Sequence, residues 1–100
     1  MKKLILLLFI PLVSFGQTKF EYYESGAVKS KENYEDGKLQ GEMISYYESG
    51  AVRIKANNVD DKLQGEAISY YESGAVKGKS NWFGGKLQGE MILYLSLIHI

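Results

Sequence analysis

From Thr18 onward, apolar and polar residues alternate along the chain, and the larger apolar side chains fall mostly on even-numbered positions. The first set comprises Phe20, Tyr22, Val28 and Tyr34, and similar residues follow 24 and 48 positions later except at Asn58. Alternation with a period of two is typical of strands with one buried face. Because 24 is even, each residue should return to the same face in every repeat. The pattern therefore predicts a sheet whose even-numbered positions form one apolar face.

The same alternation predicts strands rather than helices. Tyrosines, β-branched residues and closely spaced glycines all disfavour a helix. The expected fold is all-β, with antiparallel β-hairpin repeats that form an elongated single-layer meander or a solenoid-like sheet. Seven short strands are expected near residues 18–23, 27–35, 42–47, 51–59, 66–71, 75–83 and 90–94.

Two short motifs recur in phase and define a unit of 24 residues. Tyr-Tyr-Glu-Ser-Gly-Ala-Val begins at Tyr22, Tyr46 and Tyr70. Lys-Leu-Gln-Gly-Glu begins at Lys38, Lys62 and Lys86. Recurrence at a fixed interval marks a repeat architecture, in which each unit buries its apolar face against its neighbours. We expect three repeats, at about residues 18–41, 42–65 and 66–89, and the start of a fourth that ends at residue 94.

Each repeat carries two candidate turns. A three-residue loop at Glu48-Ser49-Gly50 would pair Tyr46 with Val52, Ser45 with Arg53 and Ile44 with Ile54, which keeps like faces together. Such loops close with a glycine in the left-handed conformation. The other connection runs from Asp36 to Gly41 in the first repeat, and Asp61 stands where the other repeats have glycine. The structural turn glycines are therefore Gly26, Gly50, Gly74, Gly41, Gly65 and Gly89.

Composition restricts the classes of function. One hundred residues make at most one small domain, and without cysteine there is no disulfide or thiolate metal site. The 12 basic side chains balance the 12 acidic ones, and loss of Lys2 and Lys3 with a cleaved leader would leave a small negative excess. This balance argues against a nucleic-acid partner, which would require a basic stripe.

The first 16 residues have the pattern of a secretory signal peptide. Lys2 and Lys3 precede an apolar run, Leu4 to Val13, and Ser14 and Gly16 supply the small residues of a cleavage site after Gly16. The run is too short for a comfortable membrane span, and Pro11 interrupts it. An uncleaved N-terminal anchor is the alternative. We expect export to the periplasm, the outer membrane surface or the extracellular space.

The repeat breaks off after Tyr94. Another Tyr-Glu-Ser-Gly is due there, but the chain reads Leu95-Ser96-Leu97-Ile98-His99-Ile100. These residues resemble the translation of a transposase sequencing adapter. We expect residues 95–100 to be a non-native tail of a truncated reading frame.

The recurring motifs also carry a family resemblance. Tyr-Tyr-Glu-Ser-Gly with Gly-Lys-Leu-Gln-Gly-Glu resembles MORN-variant repeats over residues 20–94, as in bacterial proteins similar to the YwqK family of toxin–antitoxin antitoxins. The leader that ends Ser-Phe-Gly-Gln resembles those of proteins exported by Bacteroidetes-type bacteria. The resemblance implies an all-β repeat sheet with an interaction role and no catalytic residues.

No residue set in the sequence supports a reaction or a cofactor. His99, the one histidine, lies in the suspect tail, so a serine nucleophile has no base. Glu24, Glu48 and Glu72 sit in turns and are expected to be solvated, so they lack the two different environments that glycoside hydrolysis requires. Asp60-Asp61 lacks the regularly spaced oxygen ligands of a calcium loop and reads as a turn. We predict no catalytic, cofactor-binding or metal residues and no enzyme activity.

The candidate interaction face is a row of aromatic and cationic side chains at odd positions. It consists of Tyr23, Tyr47, Tyr71, Lys29, Arg53 and Lys77. Cross-strand cation–π contacts and strand propensity would also explain these residues. The expected partner is an unidentified protein, either an envelope component or, in the antitoxin alternative, a toxin. Membrane lipid and self-association through the sheet edges are further alternatives.

Overall fold

The computed structural model describes residues 16–95, which form one open antiparallel sheet. Its strands are β1 (Gly16–Tyr22), β2 (Val28–Glu35), β3 (Lys38–Tyr46), β4 (Val52–Val59), β5 (Lys62–Leu63), β6 (Gly65–Tyr70), β7 (Val76–Phe83) and β8 (Lys86–Leu93). They are hydrogen-bonded in the order β1-β2-β3-β4-β6-β7-β8, and the two-residue β5 pairs with β4. The expected all-β, single-layer meander is thereby confirmed.

Two of the sequence expectations fall largely outside this range. All but Gly16 of the expected signal peptide, and all but Leu95 of the expected tail, lie outside the described residues. Between residues 16 and 95 we find no helix with the length and hydrophobicity needed to cross a membrane.

One set of hairpins closes with the expected three-residue loop. The Gly50 N–H donates to the Tyr47 carbonyl at 2.9 Å, and the Tyr47 N–H donates to the Ala51 carbonyl at 2.8 Å. Gly50 has φ 98°, in the left-handed region that favours glycine. The Ala51 N–H lies 3.5 Å from the Ser49 hydroxyl, which helps to satisfy it inside the turn. The same bonds recur one repeat earlier and one repeat later.

The opposite hairpins close with two residues, so the strands extend further than the sequence predicted. Glu35 pairs with Lys38, and the intervening Asp36 and Gly37 have φ 53° and 79°. Positive φ at both positions defines a type I′ turn, whose twist matches that of the flanking strands. Gly41, expected in this connection, therefore lies within β3, with φ 92° at a bulge. Its counterparts Gly65 and Gly89 likewise lie in β6 and β8.

The expectation that even-numbered residues share one face is wrong. Tyr46 pairs with Val52 as predicted, but Ser45 pairs with Ile54 instead of Arg53, and Ile44 pairs with Lys55. Arg53 is an additional residue, a β-bulge, which shifts the register by one position. A one-residue shift exchanges the faces, so Ile44 and Ile54 point to opposite sides of the sheet.

The two faces can be assigned because directly paired residues point the same way and neighbours along a strand point opposite ways. We call one the tyrosine face. It carries Ile44, Lys55, Ile68 and Lys79 in one row, and Tyr46 and Tyr70 beside it. We call the other the groove face, and it carries Met43, Ser45, Ile54, Ala56, Ser69 and Trp82.

A single layer leaves little room for a core. Among the described residues, the buried side chains are Ala56, Asn58 and Ser80, all on the groove face. No large apolar side chain within residues 16–95 is fully buried, and Tyr22 remains 60% exposed. Cohesion between repeats therefore depends strongly on hydrogen bonds, both in the strand ladder and between side chains and backbone.

Candidate interaction surface

The odd-numbered tyrosines tie each repeat to the next. The Tyr23 hydroxyl donates to the Tyr46 carbonyl, and the Tyr47 hydroxyl donates to the Tyr70 carbonyl, each at 2.7 Å. The Tyr71 hydroxyl donates to the Tyr94 carbonyl at the same distance. Each bond spans 23 residues, from one loop to the end of the equivalent strand one repeat later. The polar tips of these tyrosines are therefore occupied within the chain.

The cations of the predicted interaction face occupy the bulges. Lys29, Arg53 and Lys77 are the additional residues that shift the register in the three repeats. The Lys29 Nζ lies 5.7 Å from the centre of the Tyr23 ring, and the Lys77 Nζ lies 5.8 Å from that of Tyr71. These are cation–π distances. The structure thus brings four of the six predicted side chains together in local pairs, whereas Arg53 and Tyr47 make no cation–π contact within residues 16–95. The role of these residues in partner binding stays a prediction.

Glutamines join neighbouring repeats at the opposite end of the strands. The Gln40 Oε1 accepts from the Asp60 N–H at 2.7 Å, and the Gln64 Oε1 accepts from the Gly84 N–H at 2.9 Å. Each glutamine thereby holds the two-residue turn of the following repeat. The backbone adds a bond at the same place, from the Asp61 N–H to the Leu39 carbonyl at 3.0 Å. Both ends of the strands are thus bonded from repeat to repeat.

Sequence reasoning missed both sets of bonds between repeats. Gln40, Gln64 and Gln88 recur at the same interval as the tyrosines, and this recurrence was the available signal. The recurrence shows that a side chain has a repeated role. It does not show whether that role is towards a neighbouring repeat or towards a partner.

The tyrosine face presents three parallel rows of side chains. The first row alternates apolar residues with lysine across the sheet, and it contains Phe20, Lys31, Ile44, Lys55, Ile68, Lys79 and Ile92. The second row contains Tyr22, Tyr46, Tyr70 and Tyr94. The third contains Glu42, Asn57, Glu66 and Asn81. Each repeat therefore supplies one tyrosine and one lysine to a common surface, and the second and third repeats also supply one glutamate each, at the place where the first repeat has Thr18.

A cleft of about 180 Å³ lies on this face between the second and third repeats. Tyr70 and Ile68 form its apolar side, and Lys55, Glu42 and Glu66 are the charged residues that line it. The Lys55 Nζ lies 4.0 Å from the Glu42 Oε2, and both side chains are about half exposed. Such an exposed pair contributes little to stability, so these charges remain available to a ligand.

The groove face carries a larger and more apolar depression of about 340 Å³. Ile54, Trp82 and Leu93 are among the residues that line it, together with the small residues Ala67 and Gly78. The Trp82 indole N–H donates to the Ser80 hydroxyl at 2.8 Å, so its polar atom is satisfied internally. This groove has almost no hydrogen-bonding groups to select one ligand over another.

The described residues offer no metal centre. Within the range 16–95, no three histidine or acidic side chains are grouped closely enough to hold an ion. The recurring Glu24, Glu48 and Glu72 lie exposed in the loops, as the sequence indicated. What the surface offers chemically is aromatic rings, ammonium groups and carboxylates in regular order.

Comparison with known proteins agrees with this repeated architecture. The family model for the MORN repeat variant matches three segments, residues 18–36, 39–58 and 63–83, which together cover more than half of the chain. Neither a curated protein nor a solved structure matches the chain significantly. The matched segments follow the hairpin pairs described above, and the chain belongs to the family of MORN-variant repeat proteins.

Proposed function

We propose that this chain is a non-enzymatic interaction module that presents its tyrosine face to a protein of the cell envelope. The proposal is carried by one observation, that the two adjacent tyrosines of each repeat have different roles. The Tyr47 hydroxyl is bonded to the next repeat, whereas Tyr46 points onto the open face beside Lys55. One tyrosine of each pair holds the repeats together, and the other is free to contact a partner.

The regular order of the rows supports a recognition role. A partner that lies across the strands meets a tyrosine and a lysine in each repeat, and a glutamate in the second and third repeats. Tyrosine provides a large rigid contact area with a polar tip and loses little conformational entropy when it binds. Aromatic residues are enriched at interfaces for this reason. Because the same weak contact is repeated along the sheet, a partner that engages several repeats at once can bind tightly to an open surface.

We place this role outside the cytoplasm. The basic and apolar leader with its small-residue cleavage site supports export. Mass spectrometry of the protein recovered from the periplasmic or culture fraction tests the point. A mature N-terminus at Gln17 is the expected result, and an intact Met1 in the cytoplasmic fraction would contradict it.

Photo-crosslinking at defined positions tests the interaction role. A photoreactive phenylalanine analogue replaces Tyr70 on the tyrosine face or Leu93 on the groove face, and the cells that produce the chain are irradiated. Leu93 is a matched control because it is apolar and 67% exposed. We expect a discrete crosslinked protein from position 70 and none from position 93. Equal crosslinking at both positions, or none at position 70, would contradict the proposal.

A further inference from the structure

The tyrosine face has a repeat distance that selects among extended ligands. Tyr22, Tyr46, Tyr70 and Tyr94 stand on or directly after alternate strands, β1, β3, β6 and β8. Two strand spacings make about 9.6 Å between successive tyrosines. The end members are exposed, Tyr22 by 60% and Tyr94 by 43%, and the inner members Tyr46 and Tyr70 are half-buried. A linear partner that crosses the strands must therefore offer an equivalent group about every 9.6 Å.

Only one regular polypeptide conformation meets this requirement closely. A β-strand repeats every two residues, about 6.8 Å, and is out of step at the first interval. An α-helix repeats its face about every seven residues, or 10.5 Å, and drifts by nearly 3 Å over three intervals. A polyproline II helix repeats every three residues, about 9.3 Å, and drifts by only about 1 Å over the same span.

The chemistry of the face suits the same conformation. Proline-rich segments carry apolar rings and free carbonyl oxygens but few N–H donors, and they bind in grooves lined by aromatic side chains. Tyr70 and Ile68 provide the apolar wall of the cleft, and the Lys55 ammonium group can donate to ligand carbonyls. Because polyproline II is already extended and stiff, little conformational entropy is lost on binding.

Charge adds a second element of recognition. The cleft contains two carboxylates, Glu42 and Glu66, against the single ammonium group of Lys55. Glutamate recurs on the tyrosine-bearing strands at the same two-strand interval, again at Glu90. A ligand with one cationic side chain per three residues therefore meets a carboxylate at Glu42, Glu66 and Glu90, at the same interval as the tyrosines.

We propose that the tyrosine face binds a proline-rich segment in the polyproline II conformation, laid across the strands, with a lysine or arginine in each three-residue turn. Each turn occupies the interval between two tyrosines, and its cation lies beside a glutamate of the same strand. This proposal rests on the interaction role proposed above and specifies the class of partner.

Fluorescence anisotropy with labelled peptides tests the proposal on the purified chain. One peptide contains several Pro-Pro-Lys repeats, a second replaces both prolines with Gly-Ser at equal charge, and a third replaces lysine with glutamate. We expect the first to bind about tenfold more tightly than either of the others, equivalent to about 1.4 kcal/mol. Equal affinity of the two lysine peptides would show simple charge attraction and would overturn the proposal.

Substitutions on each face locate the binding site, and replacements that keep the aromatic rings distinguish a lost contact from misfolding. Tyr46→Ala with Tyr70→Ala should weaken the Pro-Pro-Lys peptide about tenfold or more, whereas the Phe replacements, which keep the rings, should lose much less. Leu93→Ser on the groove face is the control and should leave binding unchanged. Equal losses in the tyrosine-face and groove-face variants would overturn the proposal.

A further titration distinguishes a proline-rich peptide from a polysaccharide, which also stacks on tyrosine rings. Soluble β-linked oligosaccharides of glucose and N-acetylglucosamine are titrated under the same conditions. Binding of these sugars in place of the peptide would overturn the proposal. If no proline-rich peptide binds but Tyr70 still crosslinks a protein in cells, this inference fails and the interaction role stands. If both experiments fail, both are refuted.

Discussion

The Tyr47 hydroxyl donates a hydrogen bond of 2.7 Å to the Tyr70 carbonyl, across the boundary between two repeats. The tyrosine is half-buried, and the bond joins the loop of one hairpin to the strand end of the next. Few side chains are buried among residues 16–95, and such bonds add to the strand ladders that join neighbouring repeats. Similar bonds made by Tyr23 and Tyr71 give the series its regularity.

Removal of this hydroxyl should lower the free energy of unfolding. Tyr47→Phe keeps the ring and its packing but leaves the Tyr70 carbonyl without this donor. We expect a loss of about 1 kcal/mol, the usual net value of an internal hydrogen bond, and up to about 2 if water does not reach the carbonyl. Urea denaturation followed by circular dichroism measures the change.

Tyr46→Phe is the matched control for this measurement. Tyr46 precedes Tyr47 in the chain, but its hydroxyl has no hydrogen-bond partner among residues 16–95. We expect its replacement to change the free energy of unfolding by less than about 0.5 kcal/mol. Equal destabilisation by the two variants would show that the hydrogen bond between repeats is not what distinguishes the adjacent tyrosines.

The glutamine bonds make a similar prediction at the opposite ends of the strands. Gln64→Met preserves the length of the side chain and removes the acceptor for the Gly84 N–H. The exposed turn can recover part of the loss from water, so we expect a cost of about 0.5–1 kcal/mol. Gln88→Met serves as control, because Gln88 occupies the same place in its repeat and bonds to no following turn within the described residues. A cost for Gln88→Met as large as for Gln64→Met would contradict this role.

Because Gly50 has a left-handed conformation, we expect its substitution to lower stability through the local backbone alone. A Cβ added at this position meets nothing within 4 Å, so a substitution introduces no steric clash. The positive φ of 98° nevertheless disfavours any residue with a Cβ. Gly50→Ala should therefore cost about 1–2 kcal/mol, measured by thermal or urea unfolding. A neutral Gly50→Ala would mean that the loop adopts another turn type when substituted.

The sequence predicted the parts of this fold that depend on period and turn chemistry. The interval of 24 residues gave the number of repeats, and the placing of Gly50 gave the loop length and the pairing of Tyr46 with Val52. Both follow from residues whose conformational preferences are strong and local. Strand ends at the other turns were placed less well, although Asp36-Gly37 is a pair typical of a two-residue type I′ turn, because Gly41 also suggested a turn residue and made the connection look longer.

The arrangement of the two faces was not accessible in the same way. An added bulge residue is a backbone feature, and Arg53 differs in no obvious respect from a cation on a regular strand. Strict alternation therefore predicted Ile44 opposite Ile54, whereas the structure pairs Ile44 with Lys55. The set of residues on the candidate surface therefore also differs from the prediction, because the added bulge residue decides which face of the sheet the rest of its strand occupies.

The turn at Asp60-Asp61 offers a last test, in which two effects act at one residue. Asp61 has φ 69°, a conformation that aspartate and asparagine tolerate better than most residues with a Cβ. Its Oδ1 also accepts from the Leu39 N–H at 2.7 Å, which ties the turn to the preceding repeat.

Asp61→Ala removes both advantages, and we expect it to cost about 1.5–3 kcal/mol. Asp61→Asn keeps an acceptor oxygen and the tolerance for positive φ, so it should stay within about 1 kcal/mol of the parent. Asp61→Gly relieves the backbone but loses the bond, and it should fall between the two. Urea unfolding of the three variants gives the order, and an alanine variant no less stable than the asparagine variant would refute the combined explanation.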